Sequence, residues 1–328
     1  MTASRVVRVF TLGGTISSRG VADAERLTGA EILAGTGVPG VTVELSDVRR
    51  LPSSSLSFDD LAELAGRIDE ASADASGVVV VQGTDTLEET AFLLDLLCAA
   101  RTPIVLTGAM RRPGTPGEDG PANLAAALAV AADPGCRDLG VLVVFADEIH
   151  SARLVRKTHT TSVATFASPG AGPLGVVVEG RPRLLLRPAR RVVARPLRLR
   201  TPVRVALAEL TLGDRGELLD GVEDRFDGLV VAAFGAGHAP TWLVERLTAL
   251  AARIPVVLAS RTGAGPLLGH TYRGPGSEYD LLGRGLVPAG VLDARKARLL
   301  LHALLADGAD RSRVAEVFGD LTGATSGR

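Results

Sequence analysis

The chain has 328 residues, enough for two domains with a sizeable core, and a formal net charge of −1 with 22% charged side chains. So balanced a surface offers no footprint for nucleic acid or an acidic membrane, and no apolar run reaches the roughly 18 residues of a membrane span. Two cysteines, Cys98 and Cys136, exclude a disulfide framework or a cysteine zinc cluster and read as buried or half-buried thiols.

At the N-terminus two arginines precede an apolar run that Gly13–Gly14 cuts short, which is not a secretion signal, so a cytoplasmic protein is expected. Residues 6–12 (VVRVFTL) read as the first strand. Further strands are expected at 78–81, 103–108 and 141–146, with helical patterns between them at 61–68, 90–100 and 121–132. This alternation predicts a parallel sheet with helices on both faces. The stretch 181–200 (RPRLLLRPARRVVARPLRLR) breaks it with three prolines and eight arginines. No aromatic residue is interleaved for base stacking, so it reads as a solvated hairpin and linker. Strands at 203–210, 228–234 and 255–260 follow, then a helix at 294–306. The expected fold class is α/β: a large N-terminal parallel-sheet domain over 1–187, a linker over 188–202, and a smaller C-terminal α/β domain over 203–328.

In such sheets ligands bind where strands end and loops enter helices. After the first strand, TLGGTISS combines two glycines, which allow close backbone approach, with the hydroxyl of Thr15. It matches neither a dinucleotide fingerprint nor a phosphate-binding loop. After the valine strand comes QGTDTLEET, where Thr86 and Glu89 have the spacing of a capping box and place the helix start at Leu87. Thr84 and Asp85 then sit just before the cap with no structural duty. A carboxylate there can hold an ammonium group, and the hydroxyl beside it can orient a nucleophile or water. GAMRRPGTPGEDGP lines the same crevice, with Pro121 suited to the first helical position. Lys157 lies among threonines in LVRKTHTTSVATF, one of only two lysines (with Lys296) against 34 arginines. Lysine, unlike arginine, can lose its proton when desolvated. Thr, Lys and Asp at loop ends make a workable acyl-transfer device: a neutral lysine takes a threonine proton and the aspartate keeps the lysine in place. Hydrolysis of an amide without metal or cofactor fits that set. Lys296 reads as solvated, and the five histidines show no paired ligand spacing.

Four motifs in order, TLGGTISS, VVVVQGTDTLEETAFLLDLL, PIVLTGAMRRPGTPGEDGPANL and VRKTHTTSVATFASPGAGPLG, resemble the bacterial L-asparaginase family of type I/II amidohydrolases. The likeness runs from about residue 6 to 191 and returns in GLVPAGVLDARKARLLLHALL. It implies larger N-terminal and smaller C-terminal α/β domains, assembled as dimers or tetramers. It also implies a threonine nucleophile, here Thr15, which forms an acyl-enzyme with the substrate side chain. Thr84, Lys157 and Asp85 would be the supporting triad, with Asp85 also holding the substrate α-ammonium. Ser53 would bind the α-carboxylate, and backbone groups near Ala109 would receive the side-chain amide. Glu278, from a neighbouring subunit, would complete the ammonium site. Neither cofactor nor metal is implied.

There are two departures. The family carries a tyrosine about ten residues after the nucleophile, whereas SRGVADAERLTGAEIL has none, and the only tyrosines are Tyr272 and Tyr279. Ser54 stands where many members place a glutamine that contacts the substrate backbone. The expectation is therefore an L-asparaginase producing aspartate and ammonia. The alternatives are a broader asparaginase–glutaminase and a catalytically idle amino-acid-binding homologue.

Overall fold

The computed structural model describes residues 4–17, 27–188 and 192–322. The chain divides into two compact units, Met1–Arg191 and Val192–Arg328.

The first unit is built on an eight-stranded sheet. Its strands are β1 (Arg5–Thr11), β2 (Val41–Asp47), β3 (Gly77–Val81), β4 (Ile104–Thr107), β5 (Val141–Phe145), β6 (Glu148–Ser151), β9 (Gly175–Val178) and β10 (Arg181–Leu184). A separate antiparallel ribbon pairs β7 (Arg156–Lys157) with β8 (Phe166–Ala167). The sheet order is β10-β9-β6-β5-β4-β3-β1-β2. The strands from β5 to β2 are parallel, and β6, β9 and β10 extend the sheet by antiparallel pairs. β2 went unforeseen because its exposed charged residues, Glu44 and Asp47, hide the pattern of an edge strand with one face covered. The arginine-rich stretch supplies only the second strand of a hairpin that starts before it: β9 and β10 meet through Glu179 and Gly180, both at positive φ, as a tight two-residue turn demands. Pro182 is accommodated because β10 is an edge strand.

Among the described residues, this unit has the α-helices α1 (Gly29–Leu33), α2 (Phe58–Ala71), α3 (Leu87–Leu97) and α4 (Gly120–Ala132). α2 starts at a reciprocal capping box between Ser57 and Asp60, and its stripe Leu61, Leu64, Ala65 and Ile68 faces inward at helical spacing. Leu64 and Ile68 are fully buried, each contributing about 2 kcal/mol of burial. Alternate residues of the central strands serve opposite faces of the sheet: Val79 and Val81 join Leu124, Leu128 and Val130 of α4 in one core cluster. Both cysteines are buried, and neither is in a disulfide.

One consequence of the strand order matters for function. The chain leaves β1 for β2 on one side and then returns to β3 on the other. The point between β1 and β3 is therefore the topological switch of the parallel sheet, where the loops after two neighbouring strands diverge and leave a crevice.

The second unit holds a parallel sheet in the order β11 (Val205–Glu209), β12 (Gly228–Ala233), β13 (Val256–Ser260), β14 (Val287–Pro288). Its helices are α5 (Val222–Arg225), α6 (Val244–Arg253), α7 (Glu278–Gly283), α8 (Ala294–Ala306) and α9 (Arg311–Leu321). α8 occupies the expected span, yet Lys296 is not solvated: it is 1% exposed, its Nζ lying 3.6 Å from Asp293 Oδ2. A lysine stem is apolar enough to pack in a helix face while its amine stays beside the capping aspartate. No helix among the described residues is long and apolar enough to cross a membrane.

Candidate active site

The loops after β1 and β3 touch through glycine. Gly13 and Gly14 adopt φ of +102° and +98°, a region that side chains avoid. A Cβ on Gly14 would lie 2.2 Å from the backbone N of Gly83, so only glycine lets the two loops close upon one another. Thr15 opens a short 3-10 turn, half-buried, and the turn is fixed by both the backbone N–H and the hydroxyl of Ser17 donating to Gly14 O, at 3.1 and 2.8 Å. Ser17 escaped the sequence reading, since a serine two residues past a threonine carries no distinguishing signal.

On the β3 side, Thr84 is 5% exposed and Asp85 is exposed. Lys157 arrives from the β7–β8 ribbon, and its Nζ donates to Thr84 Oγ1 and to Asp85 Oδ1, both at 2.9 Å. A chain separation of 73 residues is thus closed by direct contact. With Asp85 facing solvent, the ion pair adds little stability. Its weight is geometric: the amine is aimed at the Thr84 hydroxyl.

Ser53 reaches the same place from a third element. It is 3% exposed, and its Oγ would sit 2.9 Å from a Cβ placed on Gly83. That hydroxyl is buried and finds no hydrogen-bond partner among the described residues, an arrangement that costs free energy until a ligand group pairs with it. Ser54, next in the chain, is exposed. The Ser53 turn is tied to the β3 loop by Thr86, whose hydroxyl donates to Ser53 O at 2.8 Å. Here the capping-box expectation fails. α3 does begin at Leu87, but Thr86 has ψ of 16° rather than an extended backbone and makes no side-chain cap bond; its hydroxyl bridges two loops instead.

The loop after β4 completes this wall. Ala109 is 1% exposed. Its flanking backbone is held by residues that the sequence reading missed: Asp119 accepts from Met110 N (3.0 Å) and Arg111 N (2.8 Å), and Asn123 Nδ2 donates to Gly108 O at 3.1 Å. Asp119 stands at the N-cap of α4 without capping it, because its carboxylate is turned back onto this loop. Asn123, an amide inside the otherwise apolar PANLAAALAVAA, was the available signal. A cavity of about 540 Å³ opens alongside, lined by Ile16, Leu27, Ala109 and Arg111 among others.

Glu278 lies in the second unit, at the start of α7, and is 0% exposed. Oε1 accepts from the backbone N–H of Thr271 (3.0 Å) and Tyr272 (2.9 Å), and Oε2 lies 3.1 Å from His238 Nε2. Burial works to raise its pKa, but the backbone donors, Tyr272 foremost, together with His238 outweigh it and hold the carboxyl below its usual range. His238, 38% exposed, and Tyr272, 50% exposed, both meet solvent and stand edge-on with ring centroids 4.8 Å apart. Tyr279 is exposed beneath the guanidinium of Arg273, 4.6 Å from its ring centroid. Residues 18–26, where the absent loop tyrosine would fall, lie outside the described residues. No group of three or more His, Cys, Asp or Glu with metal-holding geometry occurs among the described residues.

Thr84, Asp85 and Lys157 are thus in direct contact, with Ser53 and the Gly13–Thr15 turn packed against the same loop. Comparison with known proteins gives matches in both units. Residues 6–190 match the family model of the asparaginase N-terminal domain, and residues 204–318 match that of the glutaminase/asparaginase C-terminal domain. The chain is 41% identical to a probable L-asparaginase of Deinococcus radiodurans, over 93% of this chain and 94% of that one. It is 32% identical to an L-asparaginase of Bacillus licheniformis over 92% and 96% of the two chains. A glutaminase-asparaginase of Pseudomonas fluorescens is 31% identical over 95% and 89%.

Proposed function

This chain belongs to the asparaginase family, and on that premise we propose that it hydrolyses the side-chain amide of L-asparagine to L-aspartate and ammonia through an acyl-threonine intermediate. The observation that carries the reading is the single amine of Lys157, 2.9 Å from both Thr84 Oγ1 and Asp85 Oδ1, beside the Gly13–Thr15 turn. Thr15 Oγ attacks the amide carbon. In its neutral form Lys157 accepts a proton through Thr84 and returns it to the departing ammonia. Water then cleaves the Thr15 ester by the reverse of the same proton path. Backbone groups around Ala109 receive the amide, held in place by Asp119 and Asn123. The unpaired hydroxyl of Ser53 takes the α-carboxylate, with Ser54 at its edge, and Asp85 takes the α-ammonium.

We further infer self-association as a dimer or tetramer in the cytoplasm, in which Glu278 of a second copy approaches the ammonium site. Neither cysteine is in a disulfide, as a reducing compartment allows, and light scattering of purified protein should give two or four times the 33.9 kDa chain mass. The decisive assay is ammonia release from L-asparagine and, separately, from L-glutamine. Turnover of asparagine is expected, and its ratio to glutamine turnover sets the breadth of the substrate class. Thr15→Ala should abolish release while leaving the unfolding temperature nearly unchanged. A protein that binds aspartate but frees no ammonia from either amide would instead be an idle homologue.

A further inference from the structure

The β7–β8 ribbon that delivers Lys157 is only two residue pairs long, Arg156↔Ala167 and Lys157↔Phe166. Thr158 N donates to Thr165 O across it. In an antiparallel ribbon the inward-pointing N–H groups alternate along each strand, so the N–H of Lys157 points away from β8 and has no ribbon partner. A half-buried backbone donor left there is costly. The acceptor that takes it is the carboxylate of Glu88.

Glu88 sits in the first turn of α3, three residues beyond Asp85, and is 2% exposed. The positive end of the helix favours a carboxylate in that turn. The same helix start therefore holds Lys157 at two ends: Glu88 grips its backbone, while Thr84 and Asp85 meet its amine. We infer that Glu88 is a positioning residue for the proton-accepting lysine, setting the place of Lys157 relative to Thr84 without itself touching substrate. This deepens, and rests on, the amidohydrolase reading above.

The chain's own composition supplies the test. With only two lysines, protein labelled with ¹⁵N-lysine shows two backbone amide signals, from Lys157 and Lys296, and this readout does not depend on turnover. Lys157→Arg identifies the Lys157 signal by deleting it. In the wild type that signal should be shifted downfield and protected from hydrogen exchange. Glu88→Gln keeps an oxygen acceptor and should keep that protection, with kcat within about threefold, whereas Glu88→Ala should lose protection. In the alanine variant kcat should fall about 100-fold, the scale of a small misplacement of a reacting group, with KM changed less than threefold. The inference is overturned if the Lys157 signal is the same in wild type and Glu88→Ala in shift and exchange, or if a folded Glu88→Ala turns over at the wild-type rate. Should Glu88→Ala not fold, the glutamine variant decides: loss of amide protection with unchanged kcat also overturns it. A wild type that frees no ammonia sinks the amidohydrolase reading instead, leaving the amide measurement to report on the Glu88 contact alone.

Discussion

Lys157 illustrates how far a single residue carries this site. In a chain that uses arginine 34 times, lysine at this position is a chemical choice, because its amine can accept a proton and a guanidinium cannot. Its side chain is 18% exposed and its Nζ is divided between a buried hydroxyl and an exposed carboxylate. Lys157→Arg keeps the charge and removes the acceptor, so kcat should drop at least about 100-fold, the lower end of what a general base contributes. Steady-state ammonia release measures this, and a rate within threefold of wild type would exclude Lys157 as the base. The residue's importance was visible from its rarity, and Thr84 and Asp85 were expected beside it; the Glu88 carboxylate that takes its backbone N–H, 69 positions away, was not.

Among the elements, the site is a convergence of turns rather than of helices. The β1 loop, the β3 loop and the Ser53 turn are locked by Gly14 against Gly83 and by the Thr86 hydroxyl on Ser53 O. Thr86→Val removes that hydroxyl with little change of shape. It should cost about 1 kcal/mol, the net worth of one hydrogen bond, which lowers the melting temperature by about 1–2 °C in a chain of this size. If Ser53 holds the substrate carboxylate, KM should rise several-fold with kcat largely kept. Calorimetry and kinetics together check this, and an unchanged KM would detach Ser53 from substrate binding. Gly14→Ala should be far worse, because both its φ and a 2.2 Å approach to Gly83 N forbid a side chain. The capping-box pattern at Thr86 and Glu89 misled because spacing records only that a bond is available; a competing acceptor, Ser53 O, lies outside any local window.

For the molecule as a whole, acid stability follows from buried histidine. His150 on β6 is fully buried with Nδ1 3.0 Å from Ser168 Oγ, and burial pushes its pKa down to about 4 from the ordinary 6.5. The unfolded chain binds that proton more readily, so the stabilisation is complete above pH 6.5 and is lost as the pH falls toward 4. The span corresponds to about 3 kcal/mol. Asp60 acts in a separate window: hydrogen bonds, first from Ser57, hold it at about 2, so its contribution stands above pH 3.8 and is lost below. Urea unfolding at pH 7.5 and pH 5 should show the loss, and His150→Gln should flatten it. An equally steep decline in the variant would place the acid sensitivity elsewhere.

Strand and helix periodicity, the glycine pairs and the ordered motifs were enough by themselves to determine the α/β class, the two-part division of the chain and the polar joints after β1 and β3. These are local signals, written in residues that neighbour one another. What required the tertiary structure was pairing at a distance: β2 on the sheet edge, the antiparallel extension through β6, β9 and β10, the burial of Lys296, and the roles of Glu88, Asp119 and Asn123. Each depends on which groups a buried N–H or carboxylate finds across the fold, and hydrogen-bond satisfaction in a packed interior is a property of the whole arrangement rather than of any stretch of sequence.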